Sequence, residues 1–292
     1  ATLNGKCVSN GKLNMFKAIS AALTQINSKF YVGDINGDGH DDIVVTGKYQ
    51  SKLRLSAFLG GDNGVILQAC TTVTTKTFAN SDPLYIADVN GDGKDDMVLH
   101  WVSSGVRHLM TFISNGNGTF TTGTDFNTNY TYDLTNHPSY SNIGDTNGDG
   151  RADFIMQFKA TNGTRSTVVF KGTAGGTFTG AYLSSSTRTF ITSDPVYFKD
   201  VNGDGRTDII VHWSSSNKRQ LLVYTGNTNC YYFDGVNLST TNTHNTSTYP
   251  CQLEMADISG DGKTDFVVCW KDANSKRNFL VYRGSENADN KA

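Results

Sequence analysis

No run of apolar residues in this chain approaches the roughly 18 that a membrane-spanning helix needs. Its first residues, Ala1-Thr2-Leu3-Asn4, lack a charged and apolar targeting segment, so the sequence predicts a soluble chain from which any signal peptide has already gone. A Gly-x-Ser-x-Gly elbow, a His-Glu-x-x-His pair and a phosphate-binding glycine-rich loop are all missing, which argues against an enzyme. Cysteine is scarce, with five residues at no zinc spacing, and the odd count leaves at least one free thiol in a monomer. Cys269 lies inside the apolar run Phe266–Trp270 and is expected to be a buried core thiol. Cys7, Cys70, Cys230 and Cys251 could form two disulfides in any of three pairings. Proline is rarer still, at four residues against 30 glycines. With Ser, Thr and Asn filling the gaps between short apolar runs, that composition is the profile of many short strands joined by turns.

What the chain does contain is a repeat. The pattern Asp-x-Asn-Gly-Asp-Gly-x-x-Asp, with minor variation, begins at Asp34, Asp88, Asp145, Asp200 and Asp257, at separations of 54, 57, 55 and 57 residues. This period fits four strands with their turns and exceeds that of most helical repeats. Each copy is followed at once by an apolar run: Ile43–Val45, Met97–Leu99, Phe154–Met156, Ile209–Val211 and Phe266–Val268. Unbroken rather than alternating hydrophobicity predicts a strand buried on both faces, as between neighbouring blades. A further strand is expected at Leu109–Ile113, Val168–Phe170, Leu221–Tyr224 and Phe279–Tyr282. The fold class is therefore all-β: a single β-propeller domain over residues 1–292, built of four-stranded antiparallel blades. The chain ends soon after Tyr282, and Lys12–Ser20 precedes the first loop with no blade of its own, so five blades closed by the N-terminal strand are expected. Part of a six- or seven-bladed ring is the alternative, with exposed edges as its drawback.

Loops with oxygen ligands at positions 1, 3, 5 and 9, a backbone carbonyl at 7 and glycine at 6 suit calcium, which takes six to eight hard oxygens. The proposed side-chain ligands are Asp34, Asn36, Asp38 and Asp42; Asp88, Asn90, Asp92 and Asp96; Asp145, Asn147, Asp149 and Asp153; Asp200, Asn202, Asp204 and Asp208; and Asp257, Ser259, Asp261 and Asp265. His40, Lys94, Arg151, Arg206 and Lys263 would supply the carbonyls, and Gly39, Gly93, Gly150, Gly205 and Gly262 the turn. About five Ca²⁺, one per blade, follow; the competing reading is a set of metal-free Asn-Gly and Asp-Gly turns. A helix-loop-helix calcium hand is disfavoured because β-branched runs follow the loops and no Glu stands at position 12.

These loops and the strands behind them resemble the FG-GAP and VCBS repeats known from the propeller of integrin alpha subunits, over about residues 30 to 285. The resemblance implies a calcium-binding propeller. It leaves function open, since such repeats occur in adhesion receptors, lectins, toxin subunits and appendages of carbohydrate-active enzymes. Clear Phe-Gly and Gly-Ala-Pro signatures are lacking, and five repeats are visible where integrins have seven blades.

The formal charge is −2, but 15 of the 27 acidic residues are the proposed ligand aspartates, three per loop, leaving 12 other acidic residues against the chain's 25 basic side chains. A metal-loaded chain would thus be basic and favour acidic partners, unless the basic residues are dispersed. An arginine recurs in every blade, at Arg54, Arg107, Arg165, Arg219 and Arg277, and is expected to be structural. Ser81-Asp82-Pro83 resembles Ser193-Asp194-Pro195, and His100-Trp101 matches His212-Trp213, with Trp270 in the fifth repeat. An aromatic flanked by polar groups suits a sugar, so His100, Trp101, His212, Trp213 and Trp270 are the candidate ligand residues, with inter-blade core aromatics as the alternative. Identical weak sites on one ring would gain avidity. A unique site would instead lie in the stretches Thr121–His137 or Asn227–Tyr249, expected to be irregular. Sequons begin at Asn117, Asn129, Asn162, Asn237 and Asn245. The functional expectation is an extracellular, secreted or cell-surface, glycan-binding module, its glycan either neutral or acidic. A protein-interaction or adhesion module with a cell-surface protein partner comes second, a polysaccharide-degrading enzyme third, and nucleic acid is not expected.

Overall fold

The computed structural model describes residues 28–64, 68–129, 139–215, 218–239, 251–271 and 276–284. The expected Lys12–Ser20 closing strand, Cys7 and Asn245 lie outside them. Among the described residues, nineteen strands form five antiparallel sheets. The first holds β1 (Lys29–Gly33), β2 (Asp42–Tyr49), β3 (Lys52–Leu59) and β4 (Gln68–Thr77). The second holds β5 (Leu84–Ala87), β6 (Asp96–Ser103), β7 (Val106–Ser114) and β8 (Phe120–Asn127). In the third are β9 (Ser139–Gly144), β10 (Asp153–Lys159), β11 (Thr164–Gly172) and β12 (Phe178–Thr189). The fourth comprises β13 (Val196–Lys199), β14 (Asp208–Ser215), β15 (Lys218–Thr225) and β16 (Phe233–Ser239). The fifth shows three strands among the described residues: β17 (Cys251–Ala256), β18 (Asp265–Lys271) and β19 (Arg277–Tyr282). Strands pair in chain order within each sheet, the arrangement of a propeller blade, and every Asp-rich loop joins the first strand to the second. Among the described residues no helix is long and apolar enough to cross a membrane.

The chain divides into two compact units. One ends at Tyr132 and also takes Gly172–Thr179; the other comprises Asp133–Lys171 and Gly180 onward. In the first unit, Val44, Leu55 and Ala57 of the first sheet and Met97, Leu99 and Phe112 of the second share one core. In the second unit the reason for unbroken apolar runs is visible at β14. Ile209 and Val211 pack with Ile155 and Val169 of the third sheet, while Ile210, between them in sequence, packs with Phe266 and Val268 of the fifth. A strand covered on both faces has no polar side to show.

Adjacent blades are also joined through the loops. The position-8 N–H of one loop donates to the position-1 carbonyl of the loop before it: Asp95 to Asp34 at 2.8 Å, Thr207 to Asp145 at 2.6 Å and Thr264 to Asp200 at 3.1 Å. These bonds need the backbones close together. Gly226 shows how tight the fit is, because a β-carbon there would lie 2.8 Å from the Thr146 carbonyl and 3.0 Å from that of Thr207.

Three sequence expectations need correction. Cys70 and Cys230 are free thiols, so two disulfides among the four remaining cysteines do not form. Cys70 instead reaches the Asn117 carbonyl, and Cys230 is buried beside the Asn147 amide. Cys269 is only half-buried, because β19 beside it presents Phe279 and Val281 to solvent. The stretches Thr121–His137 and Asn227–Tyr249 are not irregular throughout, since most of β8 and all of β16 lie within them. Their Thr, Asn and Gly content hid both strands, and β8 is exposed along most of its length. Replacing Gly226 by Ala should cost about 1–3 kcal/mol of unfolding free energy, as overpacking against fixed backbone does. Urea denaturation measures it, and an unchanged midpoint would contradict the close approach.

Candidate functional site

Two sets of residues carry chemistry: the five loops, and one cavity in the second unit. All five loops share a framework. The position-1 aspartate accepts N–H groups from the two loop glycines, as Asp34 does from Gly37 at 2.7 Å and Gly39 at 2.8 Å. Asp88, Asp145, Asp200 and Asp257 repeat it. Both glycines have positive φ in every loop, for example 78° and 79° at Gly203 and Gly205, so the fourth position needs glycine as much as the expected sixth.

The position-9 aspartates Asp42, Asp96, Asp153, Asp208 and Asp265 have no exposed surface. One oxygen of each accepts the N–H of the second loop residue: Ile35, Val89, Thr146, Val201 and Ile258. The other oxygen accepts an N–H from just beyond the third strand's pairing, from Gly60, Ser114, Gly226 and Gly284 in four of the blades. Burial, with the loop's other aspartates adding to it, pushes the Asp96 and Asp208 carboxyls up to about 7.

Position 7 is basic in every copy, and in the first four loops its side chain turns back onto the position-5 carboxylate. Lys94 reaches Asp92 and Arg151 reaches Asp149, each at 2.7 Å; His40 contacts Asp38 at 3.2 Å; and Arg206 holds Asp204. Part of the basic surplus is therefore spent inside the loops. More is spent inside the blades, where Arg107, Arg165 and Arg219 are buried; Arg54 is half-buried, and Arg277 is exposed, so the expected structural role does not extend to the fifth blade.

The donor set of carboxylate, amide and carbonyl oxygens fits a hard cation such as calcium. Among the described residues, however, no three His, Cys, Asp or Glu side chains converge as a metal-holding group. The carboxylates are directed to loop N–H groups, and the remaining oxygens would come from Asn, Ser and the backbone.

The cavity, of about 690 Å³, lies in the second unit between the fourth and fifth sheets. The connection before β13 supplies Ser193, Asp194 and Pro195. Tyr197 comes from β13, His212, Trp213 and Ser214 from β14, Arg219 from β15 and Glu254 from β17. That connection is firmly held: Tyr140 Oη donates to the Thr192 and Asp194 carbonyls at 2.5 and 3.1 Å, and Asp194 N–H closes a turn on the Ile191 carbonyl. The Asp194 carboxylate is buried and paired with Arg165 at 3.0 Å and Arg188 at 3.1 Å. His212 is 4% exposed, and neither ring nitrogen has a hydrogen-bond partner. Burial, with the charge of Arg219 adding to it and that of Asp194 opposing, holds its pKa down at about 4, so the ring is neutral, with one donor and one acceptor nitrogen buried and unmatched beside the cavity.

His212 and Trp213 both line this cavity. Their counterparts in the first unit have contacts of their own. His100 Nε2 meets Arg107 Nη1 at 3.2 Å, Lys76 Nζ stands 3.2 Å from the centre of the Trp101 ring, and His108 stacks on that ring at 5.1 Å. Trp270 lies on β18, and its side chain is outside the described residues. Sequence reasoning missed Arg188, Arg219 and Tyr197 as site residues, although the Arg219 repeat was visible.

The model of the FG-GAP-like repeat matches the chain in four tandem copies, at residues 34–99, 88–156, 145–211 and 200–268. No curated protein sequence matches it. Among solved structures, a lectin from Agrocybe aegerita, determined for its recognition of non-reducing terminal N-acetylglucosamine, shares the fold at a TM-score of 0.60. Identity is 21%, and the overlap covers 90% of this chain and 67% of the lectin. Weaker overlaps occur with the Tc holotoxin pore of Photorhabdus luminescens (TM-score 0.44, 15% identity, 90% of this chain, 14% of that one). The fucose-specific lectin of Aleuria aurantia is similar to a comparable degree (0.41, 14%, 89% and 76%).

Because His212 has a folded pKa of about 4 against about 6.5 when unfolded, the unfolded chain protonates first as pH falls. Its contribution is complete above about pH 6.5 and is lost towards pH 4, by up to ~3 kcal/mol. Urea titrations of the wild type and His212→Gln should show the wild type losing stability relative to the variant across that window; parallel curves would contradict a buried neutral imidazole.

Proposed function

Since the chain belongs to the FG-GAP-like repeat family, we propose that it is an extracellular glycan-binding module without enzymatic activity. Its blades number five, closed by the N-terminal strand, and each carries one calcium ion. The observation that carries the glycan reading is the cavity beside His212 and Trp213. An aromatic surface, two serine hydroxyls, a phenol and carboxylates converge there, beside the buried imidazole of His212. Pyranoses present apolar C–H faces and rings of hydroxyl groups, and a site of this composition answers both. The fold shared with the N-acetylglucosamine-recognising lectin supports the same reading and makes a terminal N-acetylglucosamine the first ligand to try.

Calcium would be held by the position-1, -3, -5 and -9 side chains and the position-7 carbonyl. Bound there, it would neutralise carboxylates crowded into nine residues and stiffen the blade-to-blade contacts. Binding to N-acetylglucosamine-terminated glycans on an array, weakened at least about tenfold by Trp213→Ala, is expected. No binding to any glycan would overturn the reading. Metal counting after dialysis against calcium should return five ions per chain, and none would reduce the loops to turns.

A further inference from the structure

Trp213 and Asp194 form two walls of the cavity and come from different segments of the chain. One side chain touches both. The Arg188 guanidinium lies 3.5 Å from the centre of the Trp213 ring, and its Nη2 donates to Asp194 Oδ2 at 3.1 Å. Arg188 belongs to β12, the outer strand of the preceding sheet, and is not among the cavity-lining residues, so it backs these walls rather than facing the ligand. The arrangement is built into the repeat, because Lys76 at the end of β4 stands over Trp101 at the same spacing of 25 residues. The two differ in what the cation can do. A planar guanidinium stacks on an indole and keeps N–H groups in its edge for a carboxylate, whereas an ammonium is a point charge that cannot do both with the same geometry.

We infer that Arg188 is a positioning residue of the cavity, fixing the Trp213 ring and the Asp194 carboxylate in the orientation a ligand meets. This rests on the glycan reading of the same site. Arg165 holds the same oxygen of Asp194 from the blade interior, so removing Arg188 leaves the connection anchored and frees chiefly the ring. The indole would then sample other rotamers, and a stacking surface that must be ordered on binding gives weaker binding.

The test uses the full chain with Trp101→Phe and Trp270→Phe, so that Trp213 is the one tryptophan left to excite selectively over tyrosine, combined with Arg188→Ala or Arg188→Lys. Arg188→Ala should about double acrylamide quenching of Trp213 and weaken binding to an N-acetylglucosamine-terminated neoglycoprotein about tenfold, with the thermal midpoint little changed. Arg188→Lys should recover the quenching in part, through its retained cation–π contact, and the affinity less. Quenching that stays at the level of the Arg188-containing chain, or affinity that is unaltered while quenching changes, would overturn the positioning role. If the wild-type chain binds no glycan, the glycan reading falls, and the quenching result still decides whether Arg188 orders the ring.

Discussion

The structure depends on a buried carboxylate. In every repeat the last aspartate of the loop is closed off from solvent and accepts the N–H of the second loop residue on one oxygen, and in four of the five blades its other oxygen accepts a second backbone N–H. Charge-assisted bonds of this kind contribute more than neutral ones. They also join segments far apart in sequence, the start of the loop and the end of the blade's third strand. Once that tie is made, the position-1 carbonyl is presented to the next blade, whose loop donates an N–H to it. Loop geometry, blade geometry and blade stacking thus follow from one residue type at one position.

Charge is managed inside the repeat as well. Three carboxylates in nine residues repel one another, and the raised pKa of Asp96 and Asp208 records that cost together with their burial. Backbone N–H groups and the basic side chain at position 7 offset part of it, and a divalent ion would offset the rest. The same economy governs the blade interior, where Arg165 is buried only because Gln157 and Asp194 receive its N–H groups. His212 is left with none, and it is the residue beside the cavity.

The repeat, its period, the strand behind each loop and the burial of Arg107 and Arg165 were legible in the sequence. Each leaves a mark that is local or periodic: a motif of nine residues, an unbroken apolar triplet, a basic residue at fixed spacing. What was not legible depends on contacts between distant segments. Gly60, Ser114, Gly226 and Gly284 receive the buried aspartate at a spacing of 18 or 19 residues, and the mixture of Gly and Ser hides the pattern. The basic position 7 stood in plain view, yet its pairing with position 5 needed side-chain geometry. Trp101 and Trp213 looked equivalent in sequence. They differ through cross-strand partners, His108 for one and Gln220 for the other. Free Cys70 and Cys230 show the limit of counting thiols without knowing which segments meet.

The most direct measurement is the unfolding free energy of Asp208→Asn, compared with wild type in excess calcium and in excess chelator. The amide keeps the shape of the side chain, but it gives up the charge and turns one acceptor into a donor facing an N–H. If the carboxylate ties the loop to the blade by itself, the variant loses about 2 kcal/mol or more in both solutions. A loss seen with calcium and absent with chelator would mean that Asp208 matters only as a metal ligand, and that the backbone bonds drawn to it do not hold the fold.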